Sequence, residues 1–195
     1  MPTYLADILT AHRARAAADG RALSDLVELA AGTPPPRDFI GALQGDGLAC
    51  IAEIKRRSPS KGDLDPGLQA DLVAKDYVTG GAACLSVLTD EAFFGGSRSD
   101  LEVARAACGV PVLRKDFTVG PLDVCDARLM GADAVLLIVA ALDDDAQFSR
   151  GPLGLRRDDT TTDDRGYTVL DGNYLSARWP GDAHTFARRF SELLA

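Results

Sequence analysis

In "IAEIKRRSPSKG" (51–62), Glu53 and Lys55 stand two residues apart. Side chains alternate across an extended chain, so the two point to the same side of any strand that carries them. A second lysine, Lys115, ends "VPVLRK" (110–115), with Asp116 directly after it. Ammonium groups gathered at strand ends suit an anionic substrate: one anchors a carboxylate or phosphate, and another donates a proton to a developing alkoxide. The stretch Ser58-Pro59-Ser60-Lys61-Gly62 adds hydroxyls and backbone N–H groups that an anion can use. The same spacings also describe an ordinary charge pair at a strand end and a common serine-rich loop. Residue types alone leave both readings open.

What must position these residues is a run of short apolar segments. "ACIAEI" (49–54), "ACLSVL" (83–88), "VPVLRK" (110–115) and "DAVLLIVA" (133–140) read as strands. Between them, 65–80, 97–108 and 120–131 carry helical periodicity. Strict alternation of strand and helix implies βαβ units around a parallel sheet. Active sites of (β/α)8 barrels sit at the C-terminal strand ends, where Glu53, Lys55 and Lys115 fall. Ahead of these units, helices are expected over about 4–18, 24–31 and 38–43. After Leu142 the period is lost, and 143–166 reads as a linker or irregular segment rich in Asp, Arg and Thr. The tail recovers a strand pair around Asp171-Gly172-Asn173 and then a helix opened by Pro180 and Asp182.

The totals narrow the function classes. A chain of 195 residues can bury a real core, and a net charge of −8 disfavours nucleic acid or an anionic membrane surface as partner. No apolar run reaches membrane-spanning length, and the N-terminal stretch, with acidic residues throughout and no apolar h-region, reads as an amphipathic helix rather than a signal peptide. Cys50, Cys84, Cys108 and Cys125 are widely spaced, without a CxxC pair, and the chain has two histidines. Reduced, mostly buried thiols in a cytoplasmic protein without metal or other cofactor are expected.

"IAEIKRRSPSKG", "LSVLTDEAFFGGS", "PVLRKDF" and "GADAVLLIVAAL", in this order, together with the "LADIL" opening, resemble the indole-3-glycerol phosphate synthase family over about residues 1–145. The resemblance implies a (β/α)8 barrel with an N-terminal helical extension. It also implies a carboxy-lyase of tryptophan biosynthesis, which closes the indole ring of 1-(2-carboxyphenylamino)-1-deoxyribulose 5-phosphate with loss of CO2 and water. Carried over by residue, Lys115 would be the general acid at the substrate carbonyl. Lys55 would hold the anionic side of the substrate, Glu53 would orient the lysines and assist proton transfer, Ser58 would line the anion pocket, and Phe94 would pack on the aromatic ring. Phe94 by itself reads equally well as a residue that anchors its loop.

The family's later strings do not occur after Leu142: a further glutamate after strand four, Asn-Asn-Arg, Ser-Glu-Ser-Gly and the glycine-rich phosphate loops. The fold expected is therefore an incomplete (β/α)8 barrel of about four βα units over 49–142. Residues 1–48 form its helical extension, and a hairpin and helix of different origin occupy 167–195. The function expected is a synthase impaired by the missing half; the alternative is a silent half-barrel that acts by self-association through its open edge or by complementation from a partner. The tail, through Asp171, Gly172, Asn173, Ser176, Pro180 and Asp182, resembles the end of the intracellular protease/amidase superfamily. That superfamily's cysteine-bearing nucleophile elbow has no counterpart here, so a hydrolase is not expected and His184 reads as a surface or packing residue.

Overall fold

The computed structural model describes residues 4–45, 47–138 and 141, and the backbone of 168–171 and 174–177. Three helices open the chain: α1 (Tyr4–Ala18), α2 (Leu23–Ala31) and α3 (Phe39–Leu43). There follow β1 (Ile51–Ile54), a two-rung hairpin of β2 (Arg57–Ser58) and β3 (Gly62–Asp63), and α4 (Ala70–Thr79). The next elements are β4 (Cys84–Leu88), α5 (Glu91–Phe94), α6 (Arg98–Ala107), β5 (Val112–Lys115), α7 (Pro121–Leu129) and β6 (Ala134–Val135). Further on, β7 (Thr168–Asp171) and β8 (Tyr174–Ala177) pair as an antiparallel hairpin.

The sheet has the order β1-β4-β5-β6 and every pairing in it is parallel. This is the βα progression expected from the alternation, an incomplete (β/α)8 arrangement with three helices behind four strands. Its helix-facing side is apolar because period-2 strands place Ile54, Leu85, Val87 and Val112 there, all 2% exposed or less. They pack with Leu101 and with Ala70, Ala74 and Ala104, whose small side chains let α4 and α6 lie close together. Each fully buried aliphatic side chain contributes roughly 1.5–3 kcal/mol.

The base of the sheet is tied by one carboxylate. Asp133, whose side chain is fully buried, accepts from the backbone N–H of Val112 at 2.9 Å and of Arg37 at 2.8 Å, and pairs with Arg105 at 3.0 Å. Arg37 also donates to the carbonyls of Val110 and Arg105, so the segment before α3 is stitched to the entry of β5.

Several boundaries differ from the sequence expectation. The helix expected from 65 begins at Ala70, because Pro66 and Gly67 form a turn closed by Leu68 N–H on the Asp65 carbonyl at 3.3 Å. The strand expected over 133–140 pairs for two residues, with Leu136 N–H still donating to the Arg114 carbonyl at 3.3 Å. The serine-rich stretch is a hairpin rather than open loop: Gly62 adopts φ +71°, which lets the turn return onto Arg57 and Ser58. All four cysteines are free thiols; Cys84 and Cys125 are buried, Cys108 is half-buried and Cys50 is exposed, so burial is less general than expected. The expected linker (143–166), the closing helix after Pro180 and His184 lie outside the described residues.

Candidate active site

Register explains why the charged residues meet. Glu53 lies opposite Ser86, Ser86 opposite Leu113, and Lys115 is two residues beyond Leu113 on the same face. Lys115 stands opposite Leu88. Lys55 directly follows β1, so the two lysines end strands two places apart, roughly 10 Å between backbones at ordinary strand spacing. One long acidic side chain between them can reach both. Glu53 does so: its Oε1 accepts from Lys55 Nζ at 2.6 Å, and its Oε2 accepts from Lys115 Nζ in a short bond.

All three groups are partly open to solvent, with 39%, 30% and 27% of the side chains of Lys115, Lys55 and Glu53 exposed. Burial pushes the Glu53 carboxyl up, but hydrogen bonds from Lys115 and Lys55 outweigh it and hold the group below the ordinary glutamate range. The result is a carboxylate that keeps two ammonium groups aimed at the space above the sheet. Tyr77 donates to the Glu53 carbonyl at 3.2 Å and fixes the strand end from the helix side.

The other expected residues lie on neighbouring loops. Ser58 is buried in its hairpin, where its Oγ accepts from Lys61 N–H at 3.2 Å; among the described residues no hydrogen bond joins it to the three charged groups. The hairpin root is held by Arg56, paired with Asp100 at 2.6 Å, and by Arg57, which donates to the carbonyls of Phe93, Ala92 and Glu91. Phe94 ends α5, half-buried, with its ring 6.1 Å from that of Phe117, two residues past Lys115. A side chain at Gly96 would press into the Leu88 carbonyl, so glycine there lets the loop return directly onto β4 and deliver Phe94 to the mouth.

Sequence reasoning missed the buried network beside this face. His12 of α1 contacts Asp90 Oδ2 at 2.8 Å and lies 3.9 Å from Asp116 Oδ1. Arg15 donates to His12 Nδ1 at 2.6 Å, so the ring proton sits on Nε2 and is donated to Asp90. Asp116 also pairs with Arg114 at 2.7 Å and accepts from Thr89 Oγ1 at 2.6 Å. Burial pushes Asp90 up, yet the bond from His12 and the N–H groups of Phe93 and Phe94 hold it below the ordinary range. Three ligand-type atoms of His12, Asp90 and Asp116 lie within 4.8 Å of one another, a spacing compatible with a divalent ion. Arg114 already pairs with Asp116, Asp90 is taken up by His12 and the α5 N–H groups, and both imidazole nitrogens are bonded, so these residues make a closed network and a poor cation cradle. Two signals were present in the sequence: a histidine on the stripe of Ile8 and Leu9, and Asp90 three residues before a phenylalanine run ended by Gly95.

Comparison with known proteins agrees with the motifs. The profile of the family described as indole-3-glycerol phosphate synthase matches residues 5–149. "Indole-3-glycerol phosphate synthase 2" of Ralstonia nicotianae is 55% identical over 127 residues, 63% of this chain and 47% of that protein. The protein of the same name from Streptomyces coelicolor is 57% identical over 122 residues, 63% of this chain and 47% of the relative. "Indole-3-glycerol phosphate synthase" of Hyphomonas neptunium is 49% identical over 134 residues, covering 67% and 51%. The chain spans about half the length of the curated relatives it matches. The family profile covers the four parallel strands and the segments that carry Glu53, Lys55 and Lys115, and the chain belongs to the indole-3-glycerol phosphate synthase family.

Proposed function

We propose that the chain carries the acid end of an indole-forming carboxy-lyase, acting on 1-(2-carboxyphenylamino)-1-deoxyribulose 5-phosphate. The observation that carries this reading is the Lys55–Glu53–Lys115 bridge at the C-terminal strand ends. In the reaction, the ring carbon bearing the carboxylate attacks the ketone carbon of the sugar. Lys115 donates its proton to the ketone oxygen as the new carbon–carbon bond forms. CO2 then leaves from the same ring carbon, its bonding pair restoring the aromatic ring. The new hydroxyl takes a proton and departs as water while the CH2 beside the nitrogen loses a proton, completing the indole. Lys55 holds the substrate's anionic groups, and Ser58 with the neighbouring N–H groups lines their pocket. Phe94, its ring tilted 36° to that of Phe117, packs against the aromatic ring of the substrate. Glu53 orients both ammonium groups and, as a carboxylate, accepts the proton lost from the CH2 beside the nitrogen and relays it to the departing hydroxyl, while Lys115 regains its proton from solvent.

In this reading 49–142 bears the chemistry, 1–48 is its helical cover, and 143–166 and 167–195 are a linker and a hairpin–helix unit of different origin. The setting is the cytoplasm, with a small phosphorylated substrate and without nucleic acid or added cofactor. Among the described residues no helix is long and apolar enough to cross a membrane. The test is turnover of the sugar phosphate by the purified chain, followed by indole fluorescence. Wild-type turnover that falls about 10²–10⁴-fold in Lys115→Ala is expected; a folded chain without turnover would sink the reading.

One observation favours a second reading. Ile51 at the β1 edge and Leu137 just past β6 are 40% and 37% exposed. Such edges suit a half-barrel that associates with a second copy through its open sides. Sedimentation that shows mass rising with concentration, without turnover, would favour that role.

A further inference from the structure

The chemistry above leaves one buried imidazole unused. We propose that His12 is a positioning residue, through which the N-terminal helix sets where Phe94 and Lys115 stand at the mouth of the sheet. This rests on the roles proposed above for those two residues.

Helix α1 buries Ile8, Leu9 and His12. The two aliphatic side chains hold by shape and allow the helix to slide or rotate. Arg13 donates to the Ala141 carbonyl at 3.0 Å, and Tyr4 sets its ring 6.2 Å from that of Phe93. His12, however, is the contact of this helix that hydrogen-bonds to the carboxylate capping α5. Its Nε2–H is given to Asp90 Oδ2 at 2.8 Å, and Arg15 on the opposite nitrogen, at 2.6 Å, fixes the tautomer and the ring plane. The other oxygen of Asp90 caps α5, accepting from Phe93 N–H at 2.6 Å and Phe94 N–H at 3.2 Å. Where His12 holds that carboxylate therefore decides where the turn bearing Phe94 starts.

On its other side the imidazole lies 5.2 Å from the Phe117 ring, tilted 49°. Asp116, 3.9 Å from Nε2, accepts from Phe117 N–H at 2.8 Å and immediately follows Lys115. One side chain thus touches the cap of the aromatic turn and the residue next to the proposed acid. An apolar replacement would leave Asp90 buried with one donor fewer, a loss that repacking does not mend.

Backbone-amide hydrogen exchange on the whole purified chain reads the latch without needing turnover. His12→Leu fills the space but removes the donor, and it is expected to speed exchange at Phe93, Phe94 and Phe117 about tenfold relative to Leu85 in the core. His12→Gln, whose amide N–H can reach the Nε2 position, is expected to restore slow exchange. In parallel, the Kd for the product, indole-3-glycerol phosphate, should weaken about tenfold in His12→Leu and recover in His12→Gln. If His12→Leu does not fold, His12→Asn, which cannot reach that position, takes its place beside His12→Gln. Equal acceleration at Leu85, or identical behaviour of the leucine and glutamine variants, would overturn the positioning role while product binding by the unaltered chain left the site reading standing. No binding by the unaltered chain would overturn the proposed function, and with it the purpose assigned to His12.

Discussion

The two ends of the same sheet use charge in opposite ways. At the base, Asp133 is fully buried and is surrounded by the backbone N–H groups of Val112 and Arg37 and by Arg105. At the mouth, Lys55 and Lys115 are partly exposed, and among the described residues Glu53 is the acceptor recorded for both. A charge whose bonding capacity is taken up by its own chain can stabilise but cannot serve a ligand. A charge held by one partner at a strand end keeps donors available. The contrast separates a carboxylate closed off within the fold from one that leaves its partners open to solvent.

Substitution at the base should give the largest effect on stability. Asp133→Ala strands Arg105 and two backbone donors, and about 3–5 kcal/mol of stability is expected to go, measured by denaturant unfolding. A loss below about 1 kcal/mol would erase the distinction between the two ends. Leu101→Ala, a pure core deletion, should follow at roughly 2–5 kcal/mol in the same assay, through lost burial and the cavity left behind. At the mouth the pattern inverts. Lys115→Ala is expected to change stability by less than about 1 kcal/mol, as for other part-exposed ion pairs, while removing turnover. A large loss of stability there would move Lys115 into the structural class.

Acid sharpens the same comparison. Glu53 is held below its ordinary value of 4.5, so its favourable contribution is complete above that value and is lost as pH falls through the lower, folded-state value. Thermal midpoints taken from pH 7 downward should therefore fall less steeply in Glu53→Gln than in the wild type. Parallel curves would count against the bridge. The smallest effect belongs to the surface. The hydrogen bonds from Arg21 hold Asp19 at about 2 against an ordinary 3.8, and Arg21→Ala should return it toward that value in a carboxyl NMR titration, with the thermal midpoint almost unmoved.

Much of this was legible in advance because it is written in periods and strand ends. Period-2 alternation predicted which side Glu53 and Lys55 share, and the alternation of strands and helices predicted the parallel sheet. What was not legible depends on contacts between distant segments. His12 reaches Asp90 across 78 positions, and no local pattern reports such a meeting. The hairpin at Ser58 was hidden because two rungs need only Gly62 in a left-handed conformation, and a glycine in a polar stretch is equally at home in open loop. The strand over 133–140 was overestimated because its apolar residues signal burial more strongly than they signal pairing. The bridge itself was half visible: residue types named its members, but only register could show that Glu53 spans both lysines.

The uneven placement of the cysteines has a practical consequence for labelling chemistry. Burial, helped by the negative charge of Asp133, pushes the Cys84 thiol up to about 11, which keeps it protonated and a poor nucleophile at neutral pH. Cys50 is exposed where the chain enters β1, its carbonyl accepting from Ala83 N–H at 2.9 Å. A maleimide dye offered at neutral pH should therefore settle mainly on Cys50. It would place a reporter at the foot of the outermost strand, where the arrival of any second sheet would be seen as a change in its emission.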